Sequence, residues 1–375
     1  MNISFLIAKD LLQGGGGIEK LTREVGRRLV CRGHRVAVYS TGGSESNSST
    51  WEGVEIHWMP RAKPHWAEKT VGSLYAATLA LASKPRPDLL HLHSVAAGAM
   101  ASLFRLRKVP CILQMHGIEW QRSRWGIAAK SVLRLMENLS FAGASAVTAV
   151  SRSQCKFYQD RFKVPVKFIP TGAEIRESVP PVHLNALGIQ PGRYFFTAVR
   201  LVREKGIHYL IPAFRKSATG WKLVIAGGAG GDGSYLERLR ELTGGDEKIL
   251  FLGHVQEPLL GELYSNAGAY VQPSEIEGMA ISLLDAMSFA RCCIVSDIAE
   301  NLDALGTAGL TFRYTDSNDL ARQLRVAAAS SESNAVLGQL ARARVLEHYS
   351  WDTVTDQLEE LYLETVHRST VRAIK

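Results

Sequence analysis

Apolar runs rich in β-branched residues alternate with amphipathic runs along most of the chain. The first unit is the apolar run ISFLIA, a glycine loop, the amphipathic stretch IEKLTREVGRRLVCRG and the apolar run RVAVYS. Short apolar runs bounded by turn residues predict buried strands, and amphipathic runs with a 3.6-residue period predict helices. Their alternation is typical of parallel sheets with helices on both faces. The pattern therefore predicts an α/β architecture.

This alternation pauses once, near the middle of the chain. Residues 171–193 contain several prolines and glycines and no strong strand pattern, which predicts a linker region between domains. We therefore predict two doubly wound, Rossmann-like domains, residues 1–175 and 176–351. Because ligands of such sheets bind beyond the carboxyl ends of the strands, the expected site is the cleft between the two domains.

The composition is that of a globular protein, and the charge is unevenly distributed along the chain. The chain has 375 residues, of which 46% are hydrophobic and 21% charged, as in a globular protein. The N-terminus fits a first strand better than a secretory signal, so a cytoplasmic location is expected. Residues 1–180 carry 25 Lys and Arg against 13 Asp and Glu, whereas the remainder carries 19 against 23. The basic half predicts an anionic partner such as a phospholipid surface, a nucleic acid or an anionic acceptor.

Two glycine-rich loops suggest contacts with an anion or a nucleotide. QGGGGIE, residues 13–19, joins the first strand to the first helix, and it lacks the Gly-Lys-Ser/Thr of a phosphate-binding P-loop. GGAGGDG, residues 227–233, has the spacing of a dinucleotide fingerprint. The next predicted strand, ILFLGHV, does not end in the acid that binds the ribose of NAD. A glycine turn beside another nucleotide is therefore favoured over an NAD site.

The stretch with the most candidate functional side chains is PSEIEGMAISLLDAM, residues 273–287. Glu277 is expected in a loop, and a helix is predicted from about Ile281 through Met287. Asp285 then lies too far from Glu277 for a pair that shares a proton, so the two acids suit separate contacts on one extended ligand. Earlier in the chain, Arg200 and Lys205 follow a predicted strand and suit a diphosphate. The five cysteines show no metal spacing, and no His or Cys completes a metal site with these acids.

These motifs, taken in order, resemble the retaining, GT-B-fold glycosyltransferases of family 4, the glycosyl transferases group 1. The resemblance covers essentially the whole chain. It rests on GGGGIEKLTREVGRRLVCRGHRVAVYS, DLLHLHS, QMHGIEW, VRLVREKG, LVIAGGAGGDG, FLGHV, PSEIEGMAISLLDAMS and HYSWDTVTDQLEELY. It implies two domains that face a central cleft, with a C-terminal helix, about residues 352–375, that returns to the first domain. Two departures are Asp285, where the family motif has Glu, and PTGAE, where the family often has Asn-Gly-x-Asp.

The resemblance also implies roles for individual residues. The donor would be a nucleoside-diphosphate sugar, used without a metal or other cofactor, and transfer would proceed with retention on the front face. Arg200 and Lys205 would neutralise the diphosphate, Glu277 would bind donor sugar hydroxyls, and His116 would approach the sugar from the first domain. Donor contacts are implied at Gly16, Gly17, Gly227, His254, Val255, Gly278, Met279, Ala280, Ile281, Ser282 and Asp285.

The acceptor side is predicted from basic segments with interleaved tryptophans. These are residues 61–72 and 116–126, and the acceptor-side candidates in the second are Glu119, Trp120, Arg122 and Arg124. Such segments suit an anionic membrane surface or a lipid-linked pyrophosphate, and hence a glycan or lipid-linked acceptor and peripheral attachment to the inner face of the membrane. Nucleic acid is disfavoured because no recognition motif accompanies them.

Two other functions stay open at this point. A nucleotide-sugar 2-epimerase has the same two-domain architecture and needs no acceptor. A non-catalytic subunit that binds a nucleotide sugar is compatible with the shortened Asp285 and with Thr171. The ordered Arg200, Lys205 and Glu277 motifs favour a hexosyltransferase-type enzyme over both.

Overall fold

The computed structural model describes residues 1–7, 10–12, 16–41, 48–59, 65–122, 125–229 and 233–374, with only the backbone for 65–71 and 372–374. It divides into two compact units. Unit 1 is Met1–Thr171 with Trp351–Lys375, and unit 2 is Gly172–Ser350. The division falls four residues before the boundary drawn from the sequence, because residues 172–175 already pair with the end of unit 2. The amide of Ala173, for example, donates to the Tyr349 carbonyl oxygen over 2.8 Å.

Unit 1 contains an eight-stranded sheet in the order β3-β4-β2-β1-β5-β6-β7-β8. The strands are β1 (Asn2–Leu6), β2 (Arg35–Thr41), β3 (Ser48–Trp51), β4 (Val54–Met59), β5 (Leu89–Leu92), β6 (Cys111–Met115), β7 (Ala146–Ala149) and β8 (Val166–Phe168). The helices are α1 (Gly17–Cys31), α2 (His65–Ala82), α3 (Val95–Gly98), α4 (Ala101–Leu106), α5 (Ile127–Gly143) and α6 (Arg152–Phe162). Every neighbouring pair is parallel except β3 and β4.

Unit 2 contains a six-stranded, all-parallel sheet in the order β11-β10-β9-β12-β13-β14. The strands are β9 (Tyr194–Ala198), β10 (Lys222–Ala226), β11 (Ile249–Gly253), β12 (Ala269–Gln272), β13 (Cys293–Ser296) and β14 (Leu310–Phe312). The helices are α7 (Ile207–Ser217), α8 (Ser234–Thr243), α9 (Leu259–Ser265), α10 (Ile281–Ser288), α11 (Ala299–Leu305), α12 (Ser317–Ala329) and α13 (Ser331–His348). The predicted pair of doubly wound α/β domains is therefore confirmed.

The last helix, α14 (Trp351–Ile374), packs in unit 1, where its apolar side lies against α1 and one face of the sheet. A buried hydrogen bond also attaches it to the sheet, because the Tyr362 hydroxyl lies 2.6 Å from Nδ1 of His91 in β5. Three ion pairs join α14 to the end of α1, including Arg28 with Asp352 and Arg32 with Glu359. The C-terminal segment is thereby part of the core of unit 1.

The edge strands β3 and β4 are absent from the strands predicted above. Three of the four residues of β3 (SSTW) are polar, and the strand pairs antiparallel with β4 at the edge of the sheet. Its polar residues leave little apolar signal, so the pairing depends on β4 and β2 being in place. The missed hairpin extends the sheet without changing its parallel centre.

Each sheet has one topological switch point, where consecutive connections diverge to opposite sides. In unit 2 it lies between β9 and β12, and in unit 1 between β1 and β5. Loops that leave neighbouring strands in opposite directions open a crevice at the carboxyl edge, which is where such folds bind ligands. The topology therefore gives one candidate crevice in each unit.

In unit 2 the loops after β9 and β12 are held in close contact. Gly206 has a φ of +68°, and a Cβ atom on it would overlap the carbonyl oxygen of Pro273. The amide of Glu275 also donates to the carbonyl oxygen of Glu204 over 2.8 Å. A residue without a side chain is therefore required where the two loops meet.

We expect Gly206→Ala to destabilise the protein far more than Gly220→Ala. Gly220 has the same left-handed conformation, with a φ of +75°, but a Cβ atom there would meet no atom within 4 Å. Gly220→Ala should cost only the backbone strain of about 1–2 kcal/mol. Gly206→Ala should cost several kcal/mol in all, because the loop must also move. Thermal unfolding of the full chain measures both, and equal losses would show that the contact with Pro273 is easily relieved.

Candidate active site

The crevice of unit 2 joins three charged side chains from two distant parts of the sequence. Arg200 and Lys205 lie in the loop after β9, and Glu277 lies in the loop after β12. The Lys205 Nζ atom is 2.5 Å from Oε1 of Glu277, and the two side chains are 18% and 6% exposed. The chain therefore forms a largely buried ion pair between residues 72 positions apart.

Arg200 differs from Lys205 in having its charge available. It is exposed, and its guanidinium has no hydrogen-bond or ion-pair partner within the described ranges. It follows β9 directly, so it stands at the same carboxyl edge as Lys205. A planar cation in this position is suited to binding phosphate oxygens in a bidentate manner.

The side chain of Gln272, at the end of β12, fixes the position of Glu277. Its Nε2 donates to Oε1 of Glu277 over 2.8 Å and to the Ser274 hydroxyl over 2.7 Å. Its Oε1 accepts from the Tyr270 hydroxyl over 2.8 Å and from the Ser282 hydroxyl over 3.2 Å. Both donors and both acceptor positions of the amide are thus filled, which determines its orientation. Oε1 of Glu277 therefore accepts hydrogen bonds from both Gln272 and Lys205, which fix its position.

Gln272 is the residue that the sequence reasoning missed. It is fully buried, as the last residue of an otherwise apolar strand, directly before the PSEIEG motif. A buried polar side chain must find hydrogen-bond partners, so a glutamine in this place was a signal that a polar site follows.

The helix after the loop begins where it was predicted. α10 runs Ile281–Ser288, Met279 and Ala280 before it are buried, and no side chain caps its N-terminus. Asp285 is one turn beyond Ile281 on the half-buried side of the helix. The Ser282 hydroxyl donates to Gln272, so its oxygen and the backbone of Ser282 are left for the donor contact predicted there. Gly278 completes the loop between Glu277 and the helix.

The predicted base-side residues lie at the ends of the neighbouring strands. Gly227 follows β10 with a φ of +138°, and a Cβ atom on it would overlap the carbonyl oxygen of Val199. Its amide donates to the Gly253 carbonyl oxygen over 2.6 Å. His254 is exposed and Val255 half-buried, just after β11. The structure therefore brings Gly227, His254 and Val255 to the same sheet edge as Arg200.

Glu275, two residues before Glu277, belongs to a separate cluster. Its Oε1 atom lies 3.6 Å from Nε2 of His208, whose Nδ1 is 2.8 Å from the Tyr235 hydroxyl. Burial, with the nearby Arg203 and Arg238, lowers the pKa of His208 to about 4. The imidazole is therefore neutral at pH 7, and its contact with Glu275 is not an ion pair. The two acids of the loop thus have different neighbours.

Three histidines cluster in and just after β5 and β6 of unit 1. Nδ1 of His93, just after β5, lies 3.0 Å from Nε2 of His116, just after β6. The rings of His91 and His93 are 4.2 Å apart. Burial lowers the pKa of His91 to about 3 and that of His116 to about 4. All three are neutral at pH 7, so His116 can exchange hydrogen bonds with a ligand but adds no charge. Of these, the sequence reasoning singled out only His116.

The remaining predicted residues of unit 1 have local partners. Gly16 precedes α1 and Gly17 begins it, whereas residues 13–15 of that loop and Arg124 lie outside the described residues. The Glu119 carboxylate pairs with Arg122 over 3.1 Å. The Trp120 indole donates to Glu137 over 3.2 Å, and the guanidinium of Arg134 lies 4.3 Å from its ring centre. The Trp120 side chain is thus held within unit 1 by the hydrogen bond from its indole N–H and by the guanidinium over its ring.

Within the described ranges, no group of three or more His, Cys, Asp and Glu side chains is arranged to hold a metal ion. Lys205 and Gln272 contact the Glu277 carboxylate, and Arg122 contacts that of Glu119.

Comparisons with known proteins agree with this architecture. Residues 16–172 match the model of the glycosyl transferase 4-like domain, and residues 184–344 match that of the glycosyl transferases group 1. The structure is similar to sucrose-phosphate synthase from Thermosynechococcus elongatus, with a TM-score of 0.82, 20% identity, and coverage of 97% of this chain and 98% of that one.

Two relatives are similar in sequence over most of their length. The uncharacterised glycosyltransferase MJ1607 of Methanocaldococcus jannaschii is 26% identical, over 92% of this chain and 94% of the relative. The UDP-Gal:α-D-GlcNAc-diphosphoundecaprenol α-1,3-galactosyltransferase of Escherichia coli is 24% identical, over 80% of each. The two matched models, the relatives and the two doubly wound units together establish that this chain is a glycosyltransferase of GT-B fold and belongs to family 4, the glycosyl transferases group 1.

Proposed function

We propose that the chain transfers a sugar from a nucleoside-diphosphate sugar to an acceptor hydroxyl, with retention and without a metal ion. The observation that carries the proposal is the buried pair of Lys205 and Glu277, with the exposed Arg200 beside it at the switch point. The pair and Arg200 would supply two cations and one fixed carboxylate to an extended ligand that has a diphosphate and a sugar.

The two cations would stabilise the leaving group. As the bond between the sugar C1 and the phosphate oxygen breaks, negative charge accumulates on the diphosphate. Arg200 and Lys205 would take the place that a divalent cation has in other sugar transferases, because fixed positive charge lowers the energy of the developing anion. The acceptor oxygen would bond to C1 on the same face, and its proton would pass to the leaving phosphate oxygen.

Glu277 would bind hydroxyls of the donor sugar. Gln272 and Lys205 keep Oε1 of its carboxylate in a fixed position. Fixed acceptors of this kind orient a sugar without the cost of reorganisation during the reaction. Asp285 would accept from the ribose hydroxyls, while Gly227, His254 and Val255 would line the base, and the backbone of residues 278–282 would contact sugar and phosphate oxygens. We also propose donor contacts for His116, Gly16 and Gly17, which rest on the family resemblance.

The acceptor is proposed to be a lipid-linked or polysaccharide-precursor glycan. The E. coli relative is named for transfer to a diphosphate-linked undecaprenol, and the basic first half of this chain suits such an anionic acceptor. The proposed acceptor-side residues are Glu119, Trp120, Arg122 and, outside the described residues, Arg124. Peripheral attachment to the inner face of a membrane would bring the enzyme to such an acceptor.

We expect Glu277→Ala and Lys205→Ala to separate transfer from nucleotide binding. Glu277→Ala should lower kcat by at least about 100-fold, because the sugar loses its fixed partner. It should leave nucleoside-diphosphate affinity unchanged or higher, because Lys205 is released from its pair. Lys205→Ala should lower both transfer and affinity, the latter by about 10- to 100-fold.

Affinity is measured by calorimetry after a thermal-shift screen over UDP, GDP, ADP and their sugars. Glu237→Ala, on exposed α8, is the matched control and should change neither quantity. Near wild-type turnover of Glu277→Ala would refute the assignment. Product formation from the nucleotide sugar alone would instead indicate an epimerase. Intact binding without any transfer by the wild type would indicate a binding subunit.

We expect Gln272→Glu to make transfer depend on pH in a new way. At pH 8 a second carboxylate would face Glu277, and repulsion should lower kcat/KM by at least roughly 10-fold. As the pH falls, protonation of the introduced acid would restore a donor toward Glu277, so activity relative to wild type should rise toward pH 5. Gln256→Glu, the same change at an exposed position, should follow the wild-type profile. A constant ratio of variant to wild-type activity across pH would contradict this role.

A further inference from the structure

Helix α5 of unit 1 exposes a continuous apolar stripe. Its positions recur at intervals of four and three residues, so they lie in one line along the helix. Three members are large hydrophobic residues, Val132, Leu135 and Leu139, which are 51%, 58% and 46% exposed. Ala128 and Ala142 continue the line at both ends and are also exposed. An apolar line about 21 Å long, on the outer side of a helix, is not explained by packing of the core.

The neighbouring helix α4 extends this apolar surface. Leu103 and Leu106 are 45% and 81% exposed. α4 lies against the C-terminal end of α5, where the guanidinium of Arg105 donates to the Ala142 carbonyl oxygen over 3.4 Å. At the opposite end of α5, Ile127 is 88% exposed. We call the exposed apolar residues Leu103, Leu106, Ile127, Val132, Leu135 and Leu139 the α4–α5 face.

The segment that contains this face is rich in Lys and Arg, and its two acids are paired. Residues 101–143 contain seven Lys and Arg but only two Glu. Those two are Glu119, which pairs with Arg122, and the buried Glu137, which lies 3.3 Å from Arg161. The exposed residues beside Leu106 are Arg105, Arg107 and Lys108.

We propose that the α4–α5 face docks on an anionic lipid bilayer, with α5 lying in the plane of the interface. The apolar stripe would enter the acyl boundary and the surrounding cations would bind lipid phosphates. A second copy of the chain fits poorly, because pairing two such faces would bring like charges together. No helix in the described residues is long and apolar enough to cross a membrane. The contact therefore lies on the membrane and does not span it.

This surface is distinct from both tryptophan-containing segments considered in the sequence. It also goes beyond sugar transfer, because docking needs neither donor nor acceptor. Its test is therefore independent of the proposed sugar transfer, whereas a failed flotation would also contradict the peripheral attachment proposed above.

The test is flotation of the full chain with vesicles of phosphatidylcholine and phosphatidylglycerol. The wild type should float with these vesicles, less so as salt is raised, and should not float with pure phosphatidylcholine. The double variant Leu135→Glu/Leu139→Glu should lose at least roughly 10-fold in vesicle affinity, because two inserted side chains become charged. Arg105→Gln/Arg107→Gln/Lys108→Gln should also lose affinity for the anionic vesicles, and its remaining binding should depend less on salt.

The matched control is Val336→Glu/Leu340→Glu on α13 of unit 2. These two residues are also four positions apart, and they are 57% and 51% exposed. The control should float like the wild type. Absence of wild-type flotation at low salt, or equal flotation of the α5 variant and the control, would overturn the proposal. So would a wild-type dimer in sedimentation that the α5 variant converts to a monomer while flotation is unchanged.

Discussion

A single buried amide holds the candidate site of unit 2 in place. Gln272 ends a strand of the sheet, and its four hydrogen bonds reach backward to Tyr270 and forward to Ser274, Glu277 and Ser282. A buried polar group with one partner missing is costly, so these contacts favour one arrangement of the loop over others. The rigid sheet thereby transmits its geometry to a carboxylate five residues farther along the chain.

The pair of Lys205 and Glu277 has a second consequence for the proposed reaction. In the absence of a ligand each charge neutralises the other, which makes burial of both tolerable. A bound diphosphate would compete with Glu277 for the ammonium group, while the sugar would bring hydroxyl donors to the carboxylate. Lys205 would then bind the diphosphate and Glu277 the sugar. Each residue would thus replace its partner in the ion pair with one part of the same substrate. The exposed Arg200 would give the phosphate a first point of attachment.

The two units differ in net charge and in the side chains that they offer to a ligand. In the proposed function, unit 2 would bind the donor with a small number of fixed side chains, in a sequence of nearly balanced charge. Unit 1 has neutral histidines in its crevice and most of its excess Lys and Arg on the outside, together with the apolar α4–α5 face. A positive surface attracts anionic partners over a distance of about one Debye length, whereas exposed apolar residues act only on contact. The combination suits a partner that presents both phosphate and hydrocarbon.

The sequence alone determined the α/β class, the two doubly wound domains, the start of α10 and the order of the family motifs. These follow from local periodicity, turn residues and spacing, which act over short stretches. It did not predict the hairpin of β3 and β4, the role of Gln272 or the partner of Lys205. Each of these depends on which residues meet across the sheet, and that is decided by strand order, not by neighbours in the chain. PSEIEG showed that acids were present, and only the tertiary structure assigned Glu277 to Lys205 and Glu275 to the neutral His208.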